Sequence, residues 1–235
     1  MTFTQSQLVE DLIRLGVQAN DLLFVHSSFK SIGPVSSGAS SVVKSLQDAV
    51  GPSGLVLMPS FNLVEHKRRA DLWEINSTPS TTGWLTEYFR CLPDTWRSDH
   101  YSHSVAARGQ NAKSFISEHT NKDGFDSPWD LEPWGKTFGT YSPMFKAYTR
   151  NGRILMIGVD YQSSTYIHLA EVIIWHIRRI HWENAPFPKL NRVSCGNYWE
   201  TTGKFTQGFL GEARCKLFGI RDYVDSLVNH YMFPM

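Results

Sequence analysis

The spacing of apolar residues alternates between helical and extended periods over the first quarter of the chain. Residues 4–15 carry a leucine stripe at helical spacing behind a Thr4 cap, and residues 39–50 repeat that pattern before a Gly-Pro stop. Residues 21–26 and 55–59 are short apolar runs of the kind that form buried strands. This α-β-α-β order favours an α/β layered domain with helices packed on a central sheet.

Weaker patterns fill the rest of the chain. We predict further helices at residues 83–89, 113–119, 144–150 and 221–231 and a strand at 104–107. The stretch 123–142 is crowded with aromatic residues, Pro and Gly, so we expect a long loop, which is more often a binding element than a spacer. Residues 182–207 are interpreted as β-hairpin material around Gly196-Asn197. No repeat or linker is evident, so residues 1–235 are predicted to form one domain.

Residues 153–171 combine a buried strand with the start of a helix. The apolar run 153–159 is typical of an interior strand, and Ser163 or Ser164 can supply the N-cap of a helix that ends near Ile180. Beyond the cap, three polar residues spaced by three lie near one helix face, namely Thr165, His168 and Glu171. An imidazole beside a carboxylate suits acid–base chemistry. The alternative is a helix end in which the histidine only satisfies a neighbouring group.

Composition and charge exclude several classes of protein. With 41% hydrophobic and 19% charged residues, the 235-residue chain has the composition of an ordinary soluble globular protein. A net charge of +1 gives neither the basic face expected of a nucleic-acid-binding protein nor an acid excess that concentrates polycations. The apolar runs are too short to span a bilayer, and no secretory signal is evident at the N-terminus. The three cysteines lack C-x-x-C spacing, so a reducing cytoplasm is the expected location.

Local motifs narrow the possible chemistry further. The loop 26–33 joins a strand to a helix, where exposed N–H groups can hold a phosphate or an oxyanion. It lacks both the Walker lysine and the G-x-G-x-x-G fingerprint, which argues against a nucleoside triphosphatase and a nicotinamide dehydrogenase. His100 and His103 have metal-ligand spacing but no third ligand, so no metal site is predicted. No G-x-S-x-G elbow supports a serine hydrolase.

An ordered set of sequence blocks resembles the aminoglycoside 3-N-acetyltransferase (antibiotic N-acetyltransferase) family. The blocks span roughly residues 8–175 and are LLFVHSSFKSIG, LVLMPSF, TPSTTGWLTEYFR, RSDHYSHSVAARG, GTYSP, NGRILMIGV and STYIHLAE, with a weaker echo in FLGEARCKLFGIRDYV. The resemblance implies a single-domain α-β-α fold around a mixed central sheet, which uses acetyl-CoA or another acyl-CoA to acylate an amino group of a sugar. Two departures concern the acceptor site: Tyr101 stands where the family usually has proline, and the chain looks short in the loops and the C-terminal region.

The resemblance and the chemistry together assign catalytic roles to His168, Glu171 and Thr165. An amine is mostly protonated at neutral pH, so it needs a base before it can attack a thioester, and His168 is the candidate. Glu171, or another acid such as Glu65, would hold the imidazole, and Thr165 is placed to bond the base or the thioester. A hydroxyl or N–H of the serine pair 27–28 would stabilise the oxyanion. No covalent acyl-enzyme is required.

The same resemblance assigns binding residues. Donor-binding residues are expected in two loops, as Ser27, Ser28, Phe29, Lys30 and Ser31 and as Ser104, Val105 and Ala106. Acceptor-binding residues are expected to be Glu65, Asp99, Trp129 and Tyr141. Lys30 and Arg97 are either partners of CoA phosphates or solvated surface charges.

Dispersed acids and abundant loop aromatics favour a nucleotide-linked amino sugar of surface polysaccharide synthesis as the acceptor. The alternative is an aminoglycoside, which would make the protein an antibiotic-resistance enzyme. An alternative of another class is a catalytically silent member that binds CoA or a partner protein. A metal-dependent hydrolase built on the His-rich run is a third possibility.

Overall fold

Helices and strands follow one another through most of the chain in the computed structural model, which describes residues 2–64 and 67–232. The helices are α1 (Gln5–Leu15), α2 (Ala39–Val50), α3 (Trp84–Arg90), α4 (Ala112–Ile116), α5 (Pro143–Thr149), α6 (Tyr166–His181), α7 (Arg192–Thr201) and α8 (Ile220–Met232). The strands are β1 (Leu22–Ser27), β2 (Leu55–Pro59), β3 (Trp96–Arg97), β4 (Val105–Gly109), β5 (Arg153–Ile157), β6 (Thr206–Leu210) and β7 (Ala213–Gly219). Two short 3₁₀ turns lie at Phe29–Ile32 and Tyr161–Ser163.

The sheet is mixed, as the family resemblance implies. Its strand order is β3-β4-β2-β1-β5-β7-β6. β2, β1 and β5 are parallel at the centre, and antiparallel pairs flank them on both sides. The neighbours of β1 lie on opposite sides of it, which creates the switch point where open α/β sheets leave a crevice at the carboxyl ends of their strands. The fold prediction is confirmed.

Alternating strand residues pack into two hydrophobic cores, one on each face of the sheet. Phe24 and Ile154 point to the face covered by α6, α7 and α8, where Trp199 is fully buried. Val25 and Leu155 point to the other face, which α1 and α2 cover. The period of two along each strand therefore explains why both faces need helices.

The structure corrects two local predictions. Residues 182–207 contain helix α7, so the hairpin interpretation of that range is wrong, and the hairpin is formed by β6 and β7. Gly196 lies inside α7, where a Cβ would come within 2.3 Å of the Tyr161 ring. The position therefore needs glycine for close packing and not for a turn. The predicted serine caps are also wrong, because Thr165 occupies the N-cap position of α6 and makes no side-chain capping bond.

No helix within residues 2–64 and 67–232 is long and apolar enough to cross a bilayer.

Candidate active site

A cavity of about 500 Å³ opens at the carboxyl ends of the central parallel strands. β1 contributes His26 and Ser27, β2 contributes Pro59, and Val159 follows β5. Its other lining residues are Phe61, Leu63, Arg69, Thr81, Thr82, Thr86, Ser102, His103, Trp129, Gln162, Ser163, Thr165, His168 and Arg192. The cavity therefore occupies the crevice that the strand order creates.

A histidine–carboxylate dyad forms one wall of the cavity. The Nδ1 atom of His168 lies 2.7 Å from Oε2 of Glu171, one helical turn further along α6. Oε1 of Glu171 accepts a 2.7 Å hydrogen bond from the backbone N–H of Leu190. The side chain of His168 is 19% exposed and that of Glu171 only 5%, so the imidazole faces the cavity and the carboxylate lies behind it. This is the geometry of a base held by a buried acid.

Arg192 contacts the other ring nitrogen of the histidine. Its Nη2 atom lies 2.9 Å from Nε2 of His168, and its Nη1 donates to the carbonyl of Gln162. A guanidinium has donors only, so Nε2 must be the acceptor in this pair. From these partners we assign the proton of the neutral imidazole to Nδ1, where it faces Glu171.

Three polar groups of the cavity wall are buried without a hydrogen bond to any described residue. His26 Nε2, Ser27 Oγ and Thr165 Oγ1 are buried without a hydrogen-bond partner within the described residues. Buried polar groups are normally satisfied, so unpaired ones around a cavity are suited to bind a ligand. Burial and, secondarily, the charge of Arg192 lower the pKa of His26 to about 3, which keeps its imidazole neutral at physiological pH.

Buried histidines form a neutral layer beside the cavity. His119 and His100 stack with ring centroids 4.6 Å apart, and His119 is hydrogen-bonded to Ser98 Oγ and to the carbonyl of Thr137. Burial lowers the pKa of His119 to about 4 and also lowers the pKa values of His100 and His103. Within residues 2–64 and 67–232 no three His, Cys, Asp or Glu side chains are arranged to hold a metal ion.

The long loop 123–142 brings an aromatic ring to the dyad. The ring centroid of Trp129 lies 4.8 Å from that of His168 and 4.9 Å from that of His103. Phe187 packs edge-on against the same indole at 5.5 Å. Trp129 is therefore the one predicted acceptor-binding residue among the described ones that lines the cavity.

The other predicted acceptor-binding residues lie elsewhere. Asp99 is exposed and accepts hydrogen bonds from the indole N–H groups of Trp73 and Trp134. Tyr141 is half-buried, with the ammonium of Lys146 5.8 Å from its ring centroid. Neither side chain lines the cavity. Glu65 lies outside the described residues.

The first predicted donor loop meets the cavity at one residue, Ser27. The backbone N–H of Ser28 donates to the carbonyl of Ile157, and its hydroxyl accepts from Ser31 at 2.8 Å. Phe29 packs on Trp84 with ring centroids 4.8 Å apart, while Lys30 is exposed. The Ser28 N–H is thus already engaged, so of this serine pair only Ser27 is placed for the oxyanion role.

The second predicted donor stretch lies inside the fold. Ser104, Val105 and Ala106 are all fully buried, and the hydroxyl of Ser104 donates to the carbonyl of Ser60 at 2.7 Å. Their side chains do not reach the cavity, so direct contacts with CoA are not supported by this placement. Arg97 likewise binds the backbone carbonyls of the segment above it, including Thr78 at 2.6 Å, so it is not a solvated surface charge.

Two residues that line the site, Arg192 and His26, are not among the predicted ones. The hairpin interpretation of residues 182–207 leaves Arg192 out, although Asn191, whose side chain accepts from the N–H of Ser194, is a cap signal that marks the start of α7. His26 stands at the end of a strand, and only the strand order shows that it faces the same cavity as His168.

A comparison with protein families gives the class of this site. The family model described as aminoglycoside 3-N-acetyltransferase matches residues 24–232. The chain belongs to this family. Membership confirms the prediction of an acyl-CoA-dependent N-acetyltransferase, with acetyl-CoA as the co-substrate.

Curated relatives resemble the chain over most of its length. The SPbeta prophage-derived aminoglycoside N(3')-acetyltransferase-like protein YokD of Bacillus subtilis is 29% identical, with 94% of this chain and 90% of that protein covered. Aminoglycoside N(3)-acetyltransferase III of Salmonella sp is also 29% identical, with 97% of this chain and 80% of that protein covered.

Solved structures share the fold. The crystal structure of YokD from Bacillus subtilis has a TM-score of 0.78 at 26% identity, covering 100% of this chain and 97% of that one. The binary complex of AAC-IIIb with CoASH has a TM-score of 0.77 at 21% identity, covering 98% of this chain and 97% of that one, and at that identity it shows the fold alone.

Proposed function

We propose that the chain transfers an acetyl group from acetyl-CoA to an amine of an amino sugar bound in the cavity, with His168 as the general base. The observation that carries this proposal is the dyad at the cavity wall, in which a buried carboxylate orients an imidazole that remains accessible from the cavity.

The roles of the dyad follow from the chemistry of the transfer. A sugar ammonium must lose a proton before its nitrogen can attack the thioester carbon. Nε2 of His168 takes that proton, and Glu171 stabilises the resulting imidazolium through Nδ1–H. A C–N bond forms, and as the C–S bond of the tetrahedral intermediate breaks, the imidazolium returns its proton to the CoA thiolate. The attacking nitrogen loses its second proton to solvent, which leaves the neutral amide and free CoA thiol.

Thr165 supports the reaction from the start of α6. Its hydroxyl is buried, lines the cavity and has no partner in the described residues, so it is free to donate to the thioester oxygen. Ser27 Oγ is placed similarly at the end of β1. Both are neutral donors to the oxygen that gains negative charge.

An aminoglycoside is the acceptor that the comparisons favour. The relatives that cover most of this chain are named aminoglycoside N(3)-acetyltransferase III and aminoglycoside N(3')-acetyltransferase-like protein, and these names support the aminoglycoside alternative more than the nucleotide-linked sugar. We therefore propose a 3-amino group of an aminoglycoside as the first acceptor to test.

One observation favours the nucleotide-linked amino sugar as a second candidate. Among residues 2–64 and 67–232, no carboxylate lines the cavity, whereas two arginines, Arg69 and Arg192, do. A polycationic acceptor normally needs a negative lining, while a phosphate-bearing acceptor suits arginine.

The test measures release of the CoA thiol from acetyl-CoA with each acceptor in parallel. We expect acceptor-dependent release by the wild-type protein and its loss in His168→Ala, with the exposed His181→Ala as the matched control. Turnover with kanamycin-type compounds but not with nucleotide-linked amino sugars selects the first acceptor, and the reverse selects the second. No release with either, in a folded protein that binds CoA, means a silent member of the family.

A further inference from the structure

The lone pair that the general base needs is already occupied. Nε2 of His168 accepts a hydrogen bond from the guanidinium of Arg192 at 2.9 Å, and the same guanidinium is anchored on the carbonyl of Gln162. A guanidinium does not give up its proton in proteins, so this contact cannot relay one. While it persists, the substrate ammonium cannot donate to the base.

The hydrogen bond from Arg192 to Nε2 of His168 also cannot persist once the imidazole is protonated. Once His168 has taken the proton it is a cation, and Arg192 would then be a second cation 2.9 Å away. Like charges at this separation in a half-buried site repel strongly. Arg192 must therefore leave the imidazole during the reaction.

The negative charge that forms at the same moment lies within reach. The attacked carbon binds the amine nitrogen that sits beside Nε2, so the thioester oxygen becomes an oxyanion near the guanidinium. The Ser28 N–H is engaged with the carbonyl of Ile157, so it does not compete for this oxygen. Ser27 Oγ and Thr165 Oγ1 are available but neutral, whereas Arg192 provides a charged donor.

We propose that Arg192 caps Nε2 of His168 in the resting protein and transfers its hydrogen bond to the thioester oxyanion as the base becomes protonated. The proposal rests on the proposed function, because it assigns Arg192 two positions in that reaction. It makes the residue both a cap on the base and an oxyanion donor.

Chemical labelling tests the cap without any turnover. Diethyl pyrocarbonate acylates an imidazole through an unprotonated ring nitrogen, and mass spectrometry of peptides reports each histidine separately. The exposed His181 serves as the internal reference within the same protein. We expect slow labelling of His168 in the wild type and clearly faster labelling in Arg192→Met, which keeps an unbranched stem and removes the donors. An unchanged ratio of His168 to His181 labelling overturns the cap.

Steady-state kinetics test the oxyanion role. Loss of one oxyanion donor lowers kcat by ~10²–10³-fold, so we expect a fall of that order in Arg192→Met with little change in the KM for acetyl-CoA. Arg192→Lys keeps a charged donor and should recover part of the loss. Wild-type kcat in Arg192→Met overturns the oxyanion role, and equal losses in both variants indicate a structural role and overturn it as well.

Two controls separate these outcomes from misfolding and from failure of the proposed function. Arg14→Gln removes an exposed arginine of α1 that pairs with Asp11 and does not line the cavity. This variant should change neither readout. Because labelling requires no acetyl transfer, a wild-type protein without thiol release contradicts the proposed function while leaving the cap testable. Should Arg192→Met fail to show a cooperative thermal transition, Arg192→Ala, which also removes the donors, replaces it in both measurements.

Discussion

Glu171→Gln is the substitution that most directly probes how the dyad works. The side chain keeps its shape, but only one of its two terminal atoms can still accept a hydrogen bond. In the native protein both carboxylate oxygens accept, one from Nδ1–H of His168 and one from the N–H of Leu190, each at 2.7 Å. The amide must therefore place its NH₂ group against one of these two donors.

Both orientations of the amide impair the reaction. If the amide oxygen stays on His168, the imidazolium loses its counter-charge and Leu190 N–H is left unpaired. If the NH₂ faces Nδ1, the imidazole proton moves to Nε2, and the base has no lone pair on the cavity side. A hydrogen bond to a charged group contributes roughly 1.5–3 kcal/mol, so we expect kcat to fall about 10- to 150-fold.

The free energy of unfolding should fall in Glu171→Gln as well as kcat. In the first orientation one buried donor lacks an acceptor, which costs roughly 1–3 kcal/mol in the free energy of unfolding, or about 2–12 °C in Tm for a chain of this size. The assay is acceptor-dependent thiol release, with thermal unfolding measured on the same samples. Glu10→Gln, on the exposed face of α1, is the matched control. A kcat within twofold of wild type in a folded Glu171→Gln protein would refute the assignment of the carboxylate.

Three further predictions concern the cavity wall and the fold around it. Burial lowers the pKa of His119 from 6.5 to about 4, so the unfolded chain binds a proton first as the pH falls. The stability from neutral His119 is complete above about pH 6.5 and declines towards pH 4 by about 1.4 kcal/mol per pH unit, and the buried His26, His100 and His103 add declines of the same sign. Urea titrations at several pH values should therefore show a slope at least this steep, and a flat profile contradicts it. Gly158 has φ +60° and an added Cβ would lie 2.4 Å from Ser31 Cβ, whereas Gly203 has φ +65° and open space. We expect Gly158→Ala to lower the free energy of unfolding by about 1–3 kcal/mol more than Gly203→Ala, and equal losses would exclude the clash as the cause. Trp129→Ala removes a ring contact with His168 worth about 0.5–1.5 kcal/mol, so kcat/KM should fall about 2- to 13-fold, while Trp129→Phe retains most of the wild-type value. Unchanged kinetics in the alanine variant would exclude this positioning role.

The sequence predicted the part of the site that lies on one continuous element. Helix α6 begins one residue after Thr165, and the three-residue spacing of His168 and Glu171 brings their side chains into contact, as local helix geometry requires. The two apolar strands that follow α1 and α2 were equally predictable, because their hydrophobic runs are bounded by polar or turn residues.

Partners that come from distant positions could not be predicted. The N–H that holds Glu171 belongs to the backbone of Leu190, and no residue type marks such a donor. Gly196 looked like a turn signal, yet the space beside it is filled by Tyr161, which lies thirty-five positions earlier. The hairpin interpretation of residues 182–207 therefore leaves α7, and with it Arg192, out of the predicted site.

Residues 190–192 donate a hydrogen bond to each member of the dyad. The N–H of Leu190 donates to Glu171, and the guanidinium of Arg192 donates to His168. The connector 182–189 between α6 and α7 sets where these two contacts fall, although none of its residues lines the cavity. An insertion or deletion in this connector would therefore move the orienting bond and the capping bond together. Members of the family with the same cavity residues but a different connector length would then differ in turnover, and selection for rate could act on the length of a loop rather than on the residues that meet the substrate.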